Sequence, residues 1–271
     1  MHPFQYRPSR LLTMMTLVLS LFVLSACRTT APQTQGPSAL EKEQAQKERA
    51  QALFLHGNDA LDRGEWEIAI NRYNEALALD QRWDIHMNRG IALTRQNRFR
   101  DATDAFAAAL DAGGHQEYLL YYNLGNLYQE RGLYEKSIDA YRTSLSYRGE
   151  LEYETLLNIG AAYTFVHAYE DARITITRAI EMNPDDPRAH LSLALIIFSE
   201  EQPDQALRLY DELVANFPDF GPAHFNRGFV LMRTGDREGA IEAFQTYLRL
   251  EPEGPYARQA DSNINILRRR M

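Results

Sequence analysis

Residues 118–151 read YLLYYNLGNLYQERGLYEKSIDAYRTSLSYRGEL, and the fold is decided by how this stretch is read. Tyr121, Leu124, Gly125 and Tyr128 are spaced three, one and three residues apart, which sets them on one face of a helix turning every 3.6 residues. Gly132 interrupts the pattern. Tyr134, Ser137, Ile138, Tyr141, Ser144 and Leu145 then resume it on a second helix. A helix pair this short carries an apolar face that it cannot bury alone, so it needs neighbours of the same kind.

Those neighbours are present. The position of Gly125 is held elsewhere by Gly57, Gly90, Gly160, Ala194 and Gly228, and in chain order the six are 33, 35, 35, 34 and 34 residues apart. Twelve residues after each comes a small side chain: Ala69, Ala102, Ser137, Ala172, Ala206 and Ala240. Four further on comes a large one: Tyr73, Phe106, Tyr141, Ile176, Tyr210 and Phe244. Two helices cross closely only where side chains are small, and a bulky residue one turn later fills the adjacent space. Pro184, Pro218 and Pro252 close three of the copies, where proline ends one helix and leads into the next turn.

With these columns the chain resembles the tetratricopeptide repeat, whose 34-residue period and G…A…F…P skeleton it carries six times. The copies are 50–82, 83–116, 118–151, 153–186, 187–220 and 221–254. The resemblance implies an all-α fold, a right-handed α-solenoid of six helix pairs. Ser137 and Ser144 replace the usual alanines in the third copy, and Ala194 replaces glycine in the fifth. All are small enough to keep the helix crossings.

The ends of the chain are of a different composition. Arg7 and Arg10 precede an apolar run, residues 11–24, which is shorter than the roughly 20 residues a bilayer span needs and fits a signal-peptide core. Leu24-Ser25-Ala26-Cys27 resembles the bacterial lipobox, which implies a signal peptide over 1–26 and lipid attached at Cys27, the only cysteine. Several acyl chains anchor a protein durably, so the reading expects a membrane partner through that lipid. Arg28 stands where an aspartate would resemble the inner-membrane retention signal. The expected location is therefore the outer membrane, facing the periplasm.

Residues 27–37, rich in Thr, Gln, Pro and Gly, read as a flexible tether. Ser38 and Glu41 match a capping box at the start of a charged helical lead-in, 38–49. Pro255 suits a first helical position, and Tyr256, Ala260, Ile264 and Leu267 give residues 255–271 one apolar stripe. That pattern predicts a capping helix, which repeat stacks need over their last open face. Without the leader the chain has 27 basic and 37 acidic residues, a net charge of −10, which speaks against nucleic acid as a partner.

No phosphate-binding loop, His-Glu-x-x-His pair or nucleophile elbow occurs in the sequence, and no cofactor or metal is implied. His86, His190 and His224 occupy one repeat position, shared with Tyr121, and repeats hold such residues too far apart for joint metal ligation. Acidic pairs such as Glu200-Glu201 or Asp185-Asp186 offer a dispersed enzyme site as a weaker alternative.

The expected working surface is the groove lined by the first helix of each pair, which in this family receives a peptide or a partner's helix. One column there holds Phe54, Met87, Tyr122, Leu157, Leu191 and Phe225; the next holds Leu55, Asn88, Asn123, Asn158, Ser192 and Asn226. Side-chain amides can bond a peptide backbone without reading its sequence. Asn58 and Asn126 extend this polar track, although repeat consensus by itself can supply such asparagines. The family's carboxylate clamp would use Asn126, Asn158 and Arg188, but it expects lysine where Tyr122 stands and a basic residue where Ser192 stands.

Lipobox, tether and repeats together resemble the pilotin lipoproteins of type IV pili, which implies a non-catalytic scaffold binding another envelope protein. A glycan-binding module using the groove tyrosines is the other reading.

Overall fold

The structure is a computed structural model and describes residues 38–147 and 149–269. The leader, the tether and Cys27 lie outside the described residues. Among those described there are thirteen α-helices and no strand. The helices pair in chain order: α1 (Ala39–Asp62) with α2 (Trp66–Leu77), α3 (Trp83–Arg95) with α4 (Phe99–Asp111), and α5 (Tyr118–Glu130) with α6 (Tyr134–Ser146). Next come α7 (Glu152–Phe165) with α8 (Tyr169–Met182), α9 (Pro187–Ser199) with α10 (Pro203–Asn216), and α11 (Gly221–Thr234) with α12 (Arg237–Leu250). A final helix, α13 (Ala257–Arg269), has no partner of its own. The six pairs coincide with the six copies, so this is an α-solenoid repeat. The chain divides into two compact units, one ending at Asn123 and the other beginning at Leu124, both within α5.

Each pair turns in the same way. Just after the first helix, one residue takes a left-handed conformation: Gly64, Asn97, Gly132, His167, Glu201 and Gly235, with φ between 58° and 94°. In the first four copies the next residue's N–H returns to a carbonyl five residues back. These bonds, Glu65 to Ala60, Arg98 to Leu93, Leu133 to Tyr128 and Ala168 to Tyr163, measure 2.8 to 2.9 Å. This ending satisfies helix carbonyls that would otherwise have no partner. Glycine adopts it freely, and asparagine tolerates it. His167 and Glu201 each hold it at a cost of about 1–2 kcal/mol, because their Cβ crowds the following carbonyl.

The small and large columns meet directly. A Cβ added to Gly57 would lie 2.5 Å from the Tyr73 ring, and one added to Gly125 would lie 2.4 Å from that of Tyr141. At Gly160 it would come within 2.4 Å of Ile176. The bulky residue therefore sits on the glycine itself, closer than the sequence reading expects. Ala69, Ala102, Ser137, Ala172, Ala206 and Ala240 are all fully buried, as the helix crossings require. In the first unit Phe54, Tyr73, Ile85, Met87 and Phe106 form the buried centre, and each such side chain contributes about 1.5–3 kcal/mol by leaving water.

The ends differ in detail from the sequence reading. The Ser38–Glu41 capping box forms, with Ser38 N–H donating to Glu41 Oε2 at 2.6 Å and Glu41 N–H to Ser38 Oγ at 3.3 Å. The charged lead-in is not a separate element but the opening turns of α1. At the other end Pro255 does not start the helix. The N–H of Tyr256 donates to the Tyr247 hydroxyl at 3.0 Å and its ring stacks on Phe225 at 4.6 Å, so the backbone is tied down before α13 begins at Ala257. Ala260, Ile264 and Leu267 then pack on Phe225, Phe244 and Tyr247, which is the capping role expected of them.

Candidate functional site

The asparagine columns are placed by the first helices of the pairs, and most of them point inward. In the first unit Asn58 Oδ1 accepts two hydrogen bonds, from the Tyr73 hydroxyl and from Asn88 Nδ2, both at 2.8 Å. Asn58 and Asn88 are buried, and Tyr73 is fully so. The second unit repeats the arrangement. Asn126 Oδ1 accepts from the Tyr141 hydroxyl at 2.6 Å and from Asn158 Nδ2 at 3.3 Å. Asn123 and Asn226 donate one turn back along their own helices, to the carbonyls of Leu119 and Pro222, each at 2.8 Å. Tyr122 is buried as well.

These side chains are thus engaged with the protein, where the sequence reading has amides offered to a peptide. The reason is geometric. An asparagine one residue after the glycine faces the asparagine two residues before the next copy's glycine. The tyrosine that packs on the glycine brings its hydroxyl to the same oxygen. Burial of the Tyr73 phenol, only partly offset by its amide partner, holds it un-ionised far above the ordinary tyrosine range.

Arg188 is also committed. Its guanidinium donates to Asp186 through Nε at 2.9 Å and Nη2 at 2.6 Å, lies 3.6 Å from Glu154, and covers the Tyr153 ring at 5.3 Å. Burial, with the charge of Asp186 next, pushes the Tyr153 phenol up to about 12. Asp186 is held below the usual carboxylate range: burial opposes ionisation there, but the Arg188 bonds outweigh it.

Glu200, the other acidic-pair member with a close partner, meets Arg173 at 2.7 Å. The shared histidine position closes the turns between repeats. His190 Nε2 lies 2.8 Å from the Pro184 carbonyl, and His224 Nε2 the same distance from that of Pro218. The Tyr121 hydroxyl reaches the His115 carbonyl at 3.3 Å. Among the described residues no cluster of three or more His, Cys, Asp or Glu side chains is placed to hold a metal. No helix among them is long and apolar enough to cross a membrane.

The amide pair joins the first copy to the second and the third to the fourth, and the other three junctions lack it. Between the fourth and fifth copies the two positions are Ala161 and Ser192, both short, and the space between α7 and α9 opens into a cleft of about 500 Å3. Its serine and threonine hydroxyls are engaged by the backbone. Thr164, Ser192 and Ser199 donate to the carbonyls of Gly160, Arg188 and Leu195 on their own helices, at 2.8 to 2.9 Å. The walls are therefore largely hydrocarbon. At the mouth Phe165 is 59% exposed and stacks on Tyr134 at 4.4 Å, and Leu195 is 37% exposed. The apolar band continues along α9 and α11, where Phe198 meets Phe229 edge-on at 6.1 Å under the Arg233 guanidinium, 4.9 Å away.

Sequence reasoning missed this face because it followed the asparagines. The column one residue after the glycine carried the signal: Asn58, Ile91, Asn126, Ala161, Leu195 and Phe229 contain no polar residue after the third copy.

Paired helices of this length, a left-handed turn in every pair and an aromatic on a glycine define a helical-repeat protein. The chain belongs to the tetratricopeptide repeat family, whose model matches residues 54–117, 89–154, 167–219 and 198–257. A comparison with curated protein sequences finds no match.

Solved structures with the same fold include PilW, described as a widely conserved type IV pilus biogenesis factor, at 14% identity and a TM-score of 0.66. The match covers 78% of this chain and 97% of that one. PilF of Pseudomonas aeruginosa matches at 18% identity and a TM-score of 0.60, covering 80% and 99%. A tetratricopeptide repeat protein of Parabacteroides merdae matches at 19% and 0.57, covering 81% and 99%.

Proposed function

We propose that the protein is a lipid-anchored, non-catalytic adaptor that binds another protein of the cell envelope through the first-helix face of its later repeats. The observation that carries this reading is the apolar band running from the exposed Phe165 and Leu195 to the half-buried Phe198 and Phe229, beside a junction that has no amide pair to close it. An exposed apolar patch of this kind marks an interaction surface in a soluble domain. Asp186 and Glu200 are each neutralised by an arginine, which supports a structural role for the acidic pairs.

The Leu24-Ser25-Ala26-Cys27 sequence supports a lipid anchor, and Arg28 supports the outer membrane facing the periplasm. The likeness in fold to PilW, a type IV pilus biogenesis factor, supports a role in pilus biogenesis as the finer form of the proposal, with the outer-membrane assembly read from the lipobox.

The test is a crosslinking pull-down from native membranes with the wild-type chain and a Cys27→Ala control. An envelope protein captured only by the wild type is the expected result. Retention of cell-wall fragments with no protein partner would replace the adaptor with a glycan-binding module.

A further inference from the structure

The cleft between α7 and α9 has a chemistry of its own, and it narrows what the face binds. The space comes from two short side chains, Ala161 and Ser192, at positions where the preceding junction has the Asn126–Asn158 pair. Its aliphatic hydroxyls are spent on backbone carbonyls and the Tyr169 hydroxyl meets His167, so it offers an incoming group hydrocarbon contact and few hydrogen bonds. A volume of about 500 Å3 exceeds one large side chain and accommodates a phenylalanine or leucine together with part of the chain that bears it.

The rim at the C-terminal ends of α7 and α9 is acidic. Glu170 and Asp171 follow the lining residue Tyr169, and Glu200 and Glu201 follow Ser199. Arg173 is bonded to Glu170 and to Glu200, and Asp171 and Glu201 remain exposed beside them. Repeats four to six, residues 153–254, carry 17 acidic and 8 basic side chains, whereas repeats one to three, residues 50–151, carry 15 and 11.

His167 completes this wall. It occupies a left-handed position that glycine fills in three other repeats, and its Nδ1 lies 2.7 Å from the Tyr169 hydroxyl at the cleft.

We infer that this cleft is the anchor subsite of the adaptor, and that it takes a bulky apolar residue flanked by lysine or arginine in a segment of the partner. The inference rests on the adaptor reading for its location and on the cleft's charge and lining for its specificity. Apolar burial supplies the affinity. The acidic rim selects the basic flank and speeds encounter, as charge complementarity generally does.

The test uses the full-length chain in mild detergent and two fluorescein-labelled peptides that differ only in whether lysine or glutamate flanks a single phenylalanine. Fluorescence anisotropy is expected to show the lysine peptide binding at least about tenfold tighter than the glutamate peptide, with the difference shrinking as salt rises. Ala161→Leu fills the cleft and is expected to abolish that binding while the melting temperature stays near wild type; Ser192→Leu serves as a second filling variant. Equal binding of the two peptides, or wild-type affinity in both filled variants, would overturn the subsite. Repeating the membrane crosslinking with Ala161→Leu separates the two proposals. A partner captured equally by this variant sinks the cleft and spares the adaptor, whereas no lipid-dependent capture by the wild type sinks the adaptor.

Discussion

Between the third and fourth repeats, Asn126 joins Tyr141 and Asn158 across three helices. Between the fourth and fifth, the matching positions hold Ala161 and Ser192, and a cleft stands there. The tyrosine column shows the same contrast. Tyr73 and Tyr141 each find an asparagine oxygen, one residue beyond the glycine they cover. Tyr210 is fully buried, but the residue in the asparagine position is Leu195, and its hydroxyl has no hydrogen-bond partner among the described residues. Burial alone holds that phenol un-ionised well above the usual range. The same fold position is thus polar and closed at one junction, apolar and open at the next. A repeat scaffold can change its surface in this way without changing its helix packing.

The severest way to probe the closed junction is Gly125→Ala. The new Cβ would lie 2.4 Å from a Tyr141 ring whose hydroxyl is pinned, so unfolding in denaturant should show a loss of about 1–3 kcal/mol. The fifth repeat carries alanine here naturally, as Ala194, beside a tyrosine with no such tether. A loss below about 0.5 kcal/mol would mean that the tether does not hold the ring in place.

Tyr141→Phe is expected to cost about 1–2 kcal/mol, since it removes a donor from the buried Asn126 oxygen. Tyr210→Phe should move stability the other way, raising it by about 1 kcal/mol, because it deletes a buried hydroxyl that bonds nothing. Thermal melts of the two variants side by side give the comparison, and shifts of equal sign would break it. The smallest effect belongs to Leu195→Asn, which restores the missing acceptor while losing a partly exposed leucine. Its signature is a coupling of about 0.5–1.5 kcal/mol with Tyr210, measured as the difference between its effects in the wild-type and Tyr210→Phe backgrounds. Zero coupling would mean that the two side chains do not meet.

Much of this molecule is legible in one dimension. Gly57 through Gly228 and their small and large companions recur at one period, and each helix pair is a local object bounded by its own turn. Ser38 and Glu41, three residues apart, announce a cap that forms. Local rules succeed there because the interacting groups lie within a few turns of one another. They were less informative at Asn97, His167 and Glu201, whose left-handed backbone is imposed by a turn that must reverse the chain whatever residue occupies it. They also misplaced the start of α13, which is delayed by the bond from Tyr256 to the Tyr247 hydroxyl, nine residues away.

What the sequence by itself determined is the number of helix pairs, the places where they cross, and the capping of both ends, because period and side-chain size act through neighbours along one helix or its partner. Only the tertiary structure decided what the asparagines do. Asn58 meets Asn88 thirty residues on, and Asn126 meets Asn158 thirty-two residues on, so whether each amide faces a ligand or its counterpart depends on how one repeat is set against the next. The cleft is decided in the same way. Ala161 and Ser192 are unremarked residues in their own helices, and they become a cavity only because stacking brings two short side chains to one place where at two other junctions two amides meet.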